Sequence, residues 1–146
     1  MRLYLIQHGE SAPEEVDPSR PLTDKGKSDV AGTAGFLKKA GARVDEVWHS
    51  TKLRAKQTAE LLGLKAPVEK QGLKPNDPVA PIAKLIEKSE TDLAIVGHLP
   101  FLSKLTSLLV CGKEDQPIVQ FKQGGALCLE KQESGFVVCW MVMPGL

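Results

Sequence analysis

The sequence predicts a three-layer α/β/α sandwich, with a mainly parallel sheet covered by helices on both faces and an antiparallel hairpin at its C-terminal end. Two observations carry this. Short apolar runs alternate with amphipathic stretches about a dozen residues long, the pattern of βαβ units. Two β-rich runs then close the chain, split only by Glu133-Ser134-Gly135, which reads as a hairpin. A length of 146 residues without repeat, low-complexity tract or linker assigns residues 1–146 to a single domain.

The elements follow in order. Leu3–Ile6 is a short apolar run ending at His8-Gly9, as a buried strand would. Residues 10–22 hold three prolines and no periodicity, so they form a loop. Thr23 is a helix N-cap, and Val30, Ala34 and Leu37 share one helical face before Gly41 stops it. Val44–His49 is a second strand, after which Ser50 can cap a helix carrying Ala55, Ala59 and Leu62 on one side and closed by Gly63. Residues 64–77 form a loop with a short strand near Val68. Asp77-Pro78 pairs an N-cap with proline at the first helical position, and Val79, Ile82, Ala83 and Ile86 then repeat at helical spacing. Leu93–Val96 is a third strand ending at Gly97-His98. Pro100 opens a helix with Leu102, Leu105 and Leu109 inward, ending near Gly112. Ala126–Glu130 and Phe136–Met143 are the hairpin strands.

Composition excludes several classes. With 19 basic against 18 acidic residues, the net charge of +1 gives no global field toward nucleic acid or acidic lipid. No apolar stretch approaches membrane-spanning length, and Leu3–Ile6 is too short for the core of a signal peptide. Cys111, Cys128 and Cys139 are odd in number and lack CxxC spacing, which argues against a disulfide framework or thiolate metal cage; all three read as small buried apolar residues. The expected setting is a reducing, cytoplasmic one, and the expected state a monomer.

Open α/β sheets bind ligands at the carboxyl ends of their strands, where helix N-termini also point. The first strand delivers Gln7, His8 and Gly9 to that edge, the second His49 and Ser50, and the third Gly97 and His98. All three histidines of the chain therefore fall at strand ends. One such histidine is ordinary; three on separate strands suggest a site. Gly9 and Gly97 beside two of them permit close backbone approach. Arg54, one turn into a helix, opposes the macrodipole at a cost of roughly 0.3–1 kcal/mol, and a bound anion would reverse that sign. Phosphate fits, because its oxygens match a guanidinium fork. Two chemistries suit this edge: His8, His49 and His98 as zinc ligands with an open position, or a neutral histidine attacking phosphorus while cations neutralise its oxygens. The second explains Arg54 and the first does not, so no metal is expected.

The same residues carry a resemblance. Leu5-Ile6-Gln7-His8-Gly9-Glu10 resembles the strand-plus-RHG signature of the histidine phosphatase superfamily, whose fold is phosphoglycerate mutase-like. Arg20-Pro21-Leu22-Thr23 with Gly26, Ser50-Thr51-Lys52-Leu53-Arg54-Ala55 with Gln57-Thr58, and Val96-Gly97-His98-Leu99-Pro100 resemble the blocks of the small SixA-type phosphohistidine phosphatases. The resemblance implies that His8 is the nucleophile, transiently phosphorylated, and that Arg54 and His98 bind the phosphoryl oxygens. It implies Arg20 as a further phosphate contact and Gly9 as the residue that helps fix the tautomer of His8. The family arginine of the RHG signature is Gln7 here, an amide with no charge and no fork. His49 is the expected compensator. Asp77 is the nearest analogue of the carboxylic acid that related enzymes use on poor leaving groups, although it also reads as an N-cap.

The implied activity is a cofactor-free, metal-independent phosphatase of protein phosphohistidine. Its partner would be a phosphohistidine-bearing protein, such as a phosphorelay component. The alternatives are a phosphatase of small phosphomonoesters and, from Gln7, a weakly active or non-catalytic phosphate-binding signalling module. Larger relatives build caps from insertions after the first strand and before the third. Residues 10–22 and 64–77 have ordinary loop lengths, which implies an open site able to receive a side chain of another protein.

Overall fold

In the computed structural model, which describes residues 1–145, six strands form one sheet flanked by four helices. The strands are β1 (Arg2–Gln7), β2 (Glu46–His49), β3 (Pro67–Glu69), β4 (Leu93–Gly97), β5 (Ala126–Gln132) and β6 (Gly135–Val142). The helices are α1 (Asp24–Lys39), α2 (Leu53–Leu62), α3 (Ala80–Lys88) and α4 (Phe101–Cys111). The order across the sheet is β3-β2-β4-β1-β5-β6, with β1, β2, β3 and β4 mutually parallel and β5 and β6 antiparallel.

Strand periodicity sorts the apolar residues into two cores. Tyr4, Ile6, Val47, Ala94, Val96, Ala126 and Cys128 pack on one face against Val30 and Leu37 of α1 and Ala55, Ala59 and Leu62 of α2. Leu3, Leu5, Trp48, Leu93, Ile95, Leu127 and Leu129 pack on the other against Ile82 and Ile86 of α3 and Leu102, Leu105 and Leu109 of α4. A sheet buried on both faces explains why β1 and β4 read as unbroken apolar runs rather than alternating ones. The three-layer expectation is met, and the hairpin turns on Glu133 and Ser134 with Gln132 opposite Gly135.

Caps explain most boundaries. Thr23 caps α1 by accepting from the Gly26 N–H at 3.0 Å, as the sequence predicts. Gly63 and Gly112 end α2 and α4 in the left-handed conformation that glycine adopts without cost. Two predicted caps are corrected. Ser50 lies outside α2, which begins after Lys52 without a side-chain cap, and the Ser50 hydroxyl is engaged by a buried histidine instead. Asp77 closes the turn before α3, accepting from the Lys74 N–H at 2.9 Å. The helix begins two residues beyond Pro78, with Pro81 in its first turn. Val44 is buried but precedes β2, and the predicted strand is therefore shorter. Of the cysteines only Cys128 is buried; Cys111 and Cys139 are exposed because α4 ends at Cys111 and β6 is an edge strand. All three are free thiols.

Among the described residues, no helix is long and apolar enough to cross a membrane.

Candidate active site

Because β1, β2 and β4 are parallel, their carboxyl ends share one edge, and register sets the depth of each side chain there. Gln7 pairs with Gly97, while Ile6, Val96 and His49 form one row across β1, β4 and β2. His8 and His98 each stand two residues beyond that row, on the same face by strand alternation. Their rings lie side by side, with centroids 5.0 Å apart. His49 is thus one row deeper than the other two histidines. It is 3% exposed, and its Nδ1 pairs with its own neighbour, the Ser50 carbonyl, at 2.7 Å. The structure brings His8 and His98 together and leaves His49 in the layer below.

The His8 ring is oriented by backbone. Its Nδ1 lies 2.7 Å from the Gly9 carbonyl oxygen, an atom that only accepts, so Nδ1 carries the proton and Nε2 is left with a free lone pair. The Gly9 N–H in turn donates to Thr58 Oγ1 at 3.0 Å, and that hydroxyl donates to the Arg54 carbonyl at 2.8 Å. Thr58 therefore ties the turn that bears His8 to the helix turn that carries Arg54. Close packing needs two glycines here: a Cβ on Gly9 would sit 2.9 Å from the Gly26 carbonyl, and one on Gly26 would sit 2.1 Å from that of Glu10. Gly9 thus permits approach of α1 to the turn, whereas the sequence suggested approach of a ligand.

Cations gather at the same edge. Arg54 Nε is buried without a hydrogen-bond partner. Arg20 has φ +50, a left-handed conformation unusual for a residue with a Cβ. Its Nε donates to the Ala12 carbonyl at 3.1 Å and its Nη2 to Ser11 Oγ at 3.2 Å, so the loop over residues 10–22 holds the strained residue in place. Arg20, Lys52 and Arg54 line a cavity of about 440 Å³ with Glu14, Ser19 and Thr51. None of the three cations forms an ion pair among the described residues. Asp77 does not line this cavity; the carboxylate that does is the exposed Glu14.

Burial and the nearby arginines hold both histidines neutral. Desolvation, with Arg54 and Arg20 adding repulsion against the Gly9 hydrogen bond, brings the His8 pKa down to about 4. Desolvation, with His8, Arg54, Lys52 and Arg20, brings that of His98 down to about 3. Burial beside Arg20 also lowers the Arg54 pKa.

A testable consequence follows from linkage. Between these values and the ordinary histidine value of about 6.5, the unfolded chain binds more protons than the folded one, so stability falls as pH falls through this window. The melting temperature should drop on acidification from about pH 7 to about pH 4.5. The drop should be shallower in His8→Ala and in the presence of phosphate, whose charge favours the protonated rings. An unchanged slope in both would refute the assignment of neutral buried histidines.

Among the described residues, three buried side-chain polar atoms have no partner: Gln7 Oε1, Arg54 Nε and His98 Nδ1. All belong to the edge singled out by sequence. Orphaned buried polar groups are costly unless a ligand completes them. Among the described residues, no group of three or more His, Cys, Asp or Glu side chains is placed to hold a metal ion. A neutral imidazole with a free Nε2, close enough to Arg54 and Arg20 for their charge to lower its pKa, has the chemistry to attack a phosphoryl group.

Residues 3–74 match the family model of the histidine phosphatase superfamily (branch 1). A relative in Picosynechococcus sp., itself uncharacterised, is 32% identical over 124 residues, covering 77% of this chain and 75% of its own. The chain belongs to the histidine phosphatase superfamily. This histidine phosphatase is also 25% identical over 154 residues to the phosphohistidine phosphatase SixA of Escherichia coli, covering 99% of this chain and 94% of that protein. Its fold superposes on the protein histidine phosphatase SixA complexed with tungstate with TM-score 0.87 at 24% identity, covering 99% and 97% of the two chains. The fold is shared more widely. A phosphoserine phosphatase of Entamoeba histolytica superposes with TM-score 0.74 at 16% identity, covering 99% of this chain and 98% of the other. The family therefore assigns a phosphatase, and the site must be asked which phosphate it takes.

Lys52 and Thr58 stand within a motif of the sequence that gives neither a place at the site, and the sequence does not show that the Ser50 hydroxyl meets His98. Thr58 had a signal: a polar residue beside Ala55, Ala59 and Leu62 on a wholly buried helix face needs a partner.

Proposed function

We propose that the protein hydrolyses phosphohistidine on another protein through a covalent phospho-His8 intermediate. The observation that carries this is the single hydrogen bond from His8 Nδ1 to the Gly9 carbonyl, which leaves a neutral Nε2 free beside Arg54 and Arg20.

In the first step the Nε2 lone pair forms a bond to phosphorus as the substrate P–N bond breaks. The leaving imidazole takes the electron pair of that bond and keeps the proton already on its other ring nitrogen. It departs neutral and needs no acid. This fits a cavity whose bordering carboxylate, Glu14, is exposed and whose sequence candidate, Asp77, is spent on a turn. Arg54, Arg20 and His98 supply charge and donors to the phosphoryl oxygens, and the Gly9 carbonyl supports the cationic phospho-His8 ring. In the second step water attacks phosphorus, the P–N bond to His8 breaks, its electron pair returns to Nε2, and the water proton leaves with inorganic phosphate. The shortness of the loops over residues 10–22 and 64–77 supports a protein-borne substrate rather than an enclosed metabolite.

The test incubates the protein with a phosphohistidine-bearing protein and, in parallel, a sugar phosphate. Phosphate release should be faster from the first, with acid-labile phosphate held on His8. Preference for the sugar phosphate would select the small-phosphomonoester reading instead.

Gln7 favours a second reading, that of a phosphate-binding module with weak turnover, because the amide brings no charge to the oxyanion. Arg20, Lys52 and Arg54 together supply the charge that Gln7 lacks, a role the sequence reading had given to His49. Gln7→Arg should raise kcat by about 10²- to 10³-fold if charge at this position limits the rate, on the scale of a single oxyanion donor. Phosphate binding without turnover in both forms would establish the binding module.

A further inference from the structure

Among the described residues, the buried hydroxyl of Ser50 is the one polar contact to the His98 ring, and hydrogen counting gives it a task. Ser50 Oγ lies 2.6 Å from His98 Nε2 and 3.3 Å from the Lys52 N–H, and the residue is 0% exposed. The Lys52 amide can only donate, so it occupies an acceptor position on Oγ. The single hydrogen of the hydroxyl then has one acceptor within reach, His98 Nε2. Were Nε2 itself protonated, that hydroxyl hydrogen would be buried with nothing to accept it.

We propose that Ser50 sets the tautomer of His98, holding the proton on Nδ1 and presenting that buried, unpartnered N–H to the phosphoryl oxygens. Resting on the phosphatase reading above, this makes Ser50 a positioning residue that acts through His98. The orphaned Nδ1 agrees with it from the other side. In the opposite tautomer Nδ1 would offer a lone pair to an anion and repel it. With Ser50 donating, it offers a proton and the orphan is satisfied when phosphate arrives. The relay begins at the backbone: the Lys52 amide that opens α2 fixes the hydroxyl, the hydroxyl fixes the ring, and the ring faces the substrate.

The test uses histidine labelled with 15N in the full chain, where only three histidines need be assigned. The expected wild-type spectrum shows His98 protonated on Nδ1 with Nε2 bare. In Ser50→Ala the ring should become a mixture of tautomers, and phosphate affinity and kcat/KM should each fall roughly 10- to 100-fold, the scale of losing a partner that orients an imidazole. Ser50→Thr, which keeps the hydroxyl, should retain the Nδ1–H tautomer. A wild-type His98 protonated on Nε2, a measurement needing no variant to fold, overturns the proposal. So does a Ser50→Ala protein with unchanged tautomer and phosphate affinity. The spectrum and inorganic phosphate binding need no turnover, so a failure of the phosphatase reading would appear separately, as the absence of phospho-His8.

Discussion

His8→Ala should abolish both phosphate release and the acid-labile phosphate carried by the protein. The expected loss is on the order of 10⁴- to 10⁶-fold, the range seen when a covalent nucleophile is deleted. The size follows from the site. No other nucleophile shares the position of Nε2: His98 has its Nε2 bound by Ser50, and His49 is a row deeper in the sheet. Truncation should nevertheless leave the fold and anion binding intact, because Arg54, Arg20 and His98 remain. Thermal melts with and without phosphate check this, since a ligand bound only to the folded state raises the melting temperature. A His8→Ala protein that kept full activity would refute the covalent route. One that lost phosphate binding as completely as activity would recast His8 as a binding residue.

Arg54→Ala should lower kcat/KM by about 10²- to 10³-fold, the cost of removing a preorganised oxyanion donor. Gln7 makes the effect larger than it would be beside a second arginine, because fewer cations share the developing charge. Arg54→Lys should recover only part of the loss. Lysine keeps the charge but lacks the planar fork, and it leaves empty the position of the buried Nε that awaits an acceptor. Arg54→Ala also removes a half-buried cation that repels Arg20 and both histidines, so the His8 pKa should rise in that variant. Measuring kcat/KM against pH for both variants separates the two effects. Full activity in Arg54→Ala would remove Arg54 from the phosphate cradle.

The legible parts of the fold were those governed by local periodicity. Val79, Ile82, Ala83 and Ile86 repeat at helical spacing and all four are buried, and Gly63 and Gly112 stop their helices where the pattern ends. Caps were less legible. A serine or aspartate before a helix has the right chemistry wherever it stands, and its choice of partner depends on what packs nearby. Ser50 met His98, and Asp77 met Lys74. The cysteine expectation failed for a similar reason: hydrophobicity favours burial, but Cys139 lies exposed on the edge strand β6.

By itself the sequence determined the α/β sandwich, the strand-end placement of His8, His49 and His98, and the family. Each depends on residue order and short-range spacing. Tertiary structure decided which histidines work together. Strand register, a property of strands side by side, set His8 and His98 in one row and His49 in the row beneath. It also decided where protons reside. The Gly9 carbonyl and the Ser50 hydroxyl assign the ring tautomers, and burial beside Arg20 and Arg54 keeps both rings neutral. Hydrogen-bond partners and desolvation are set by what lies nearby in space, and only the folded chain puts the His8 and His98 rings 5.0 Å apart with Arg20 and Arg54 near enough to act on their charge.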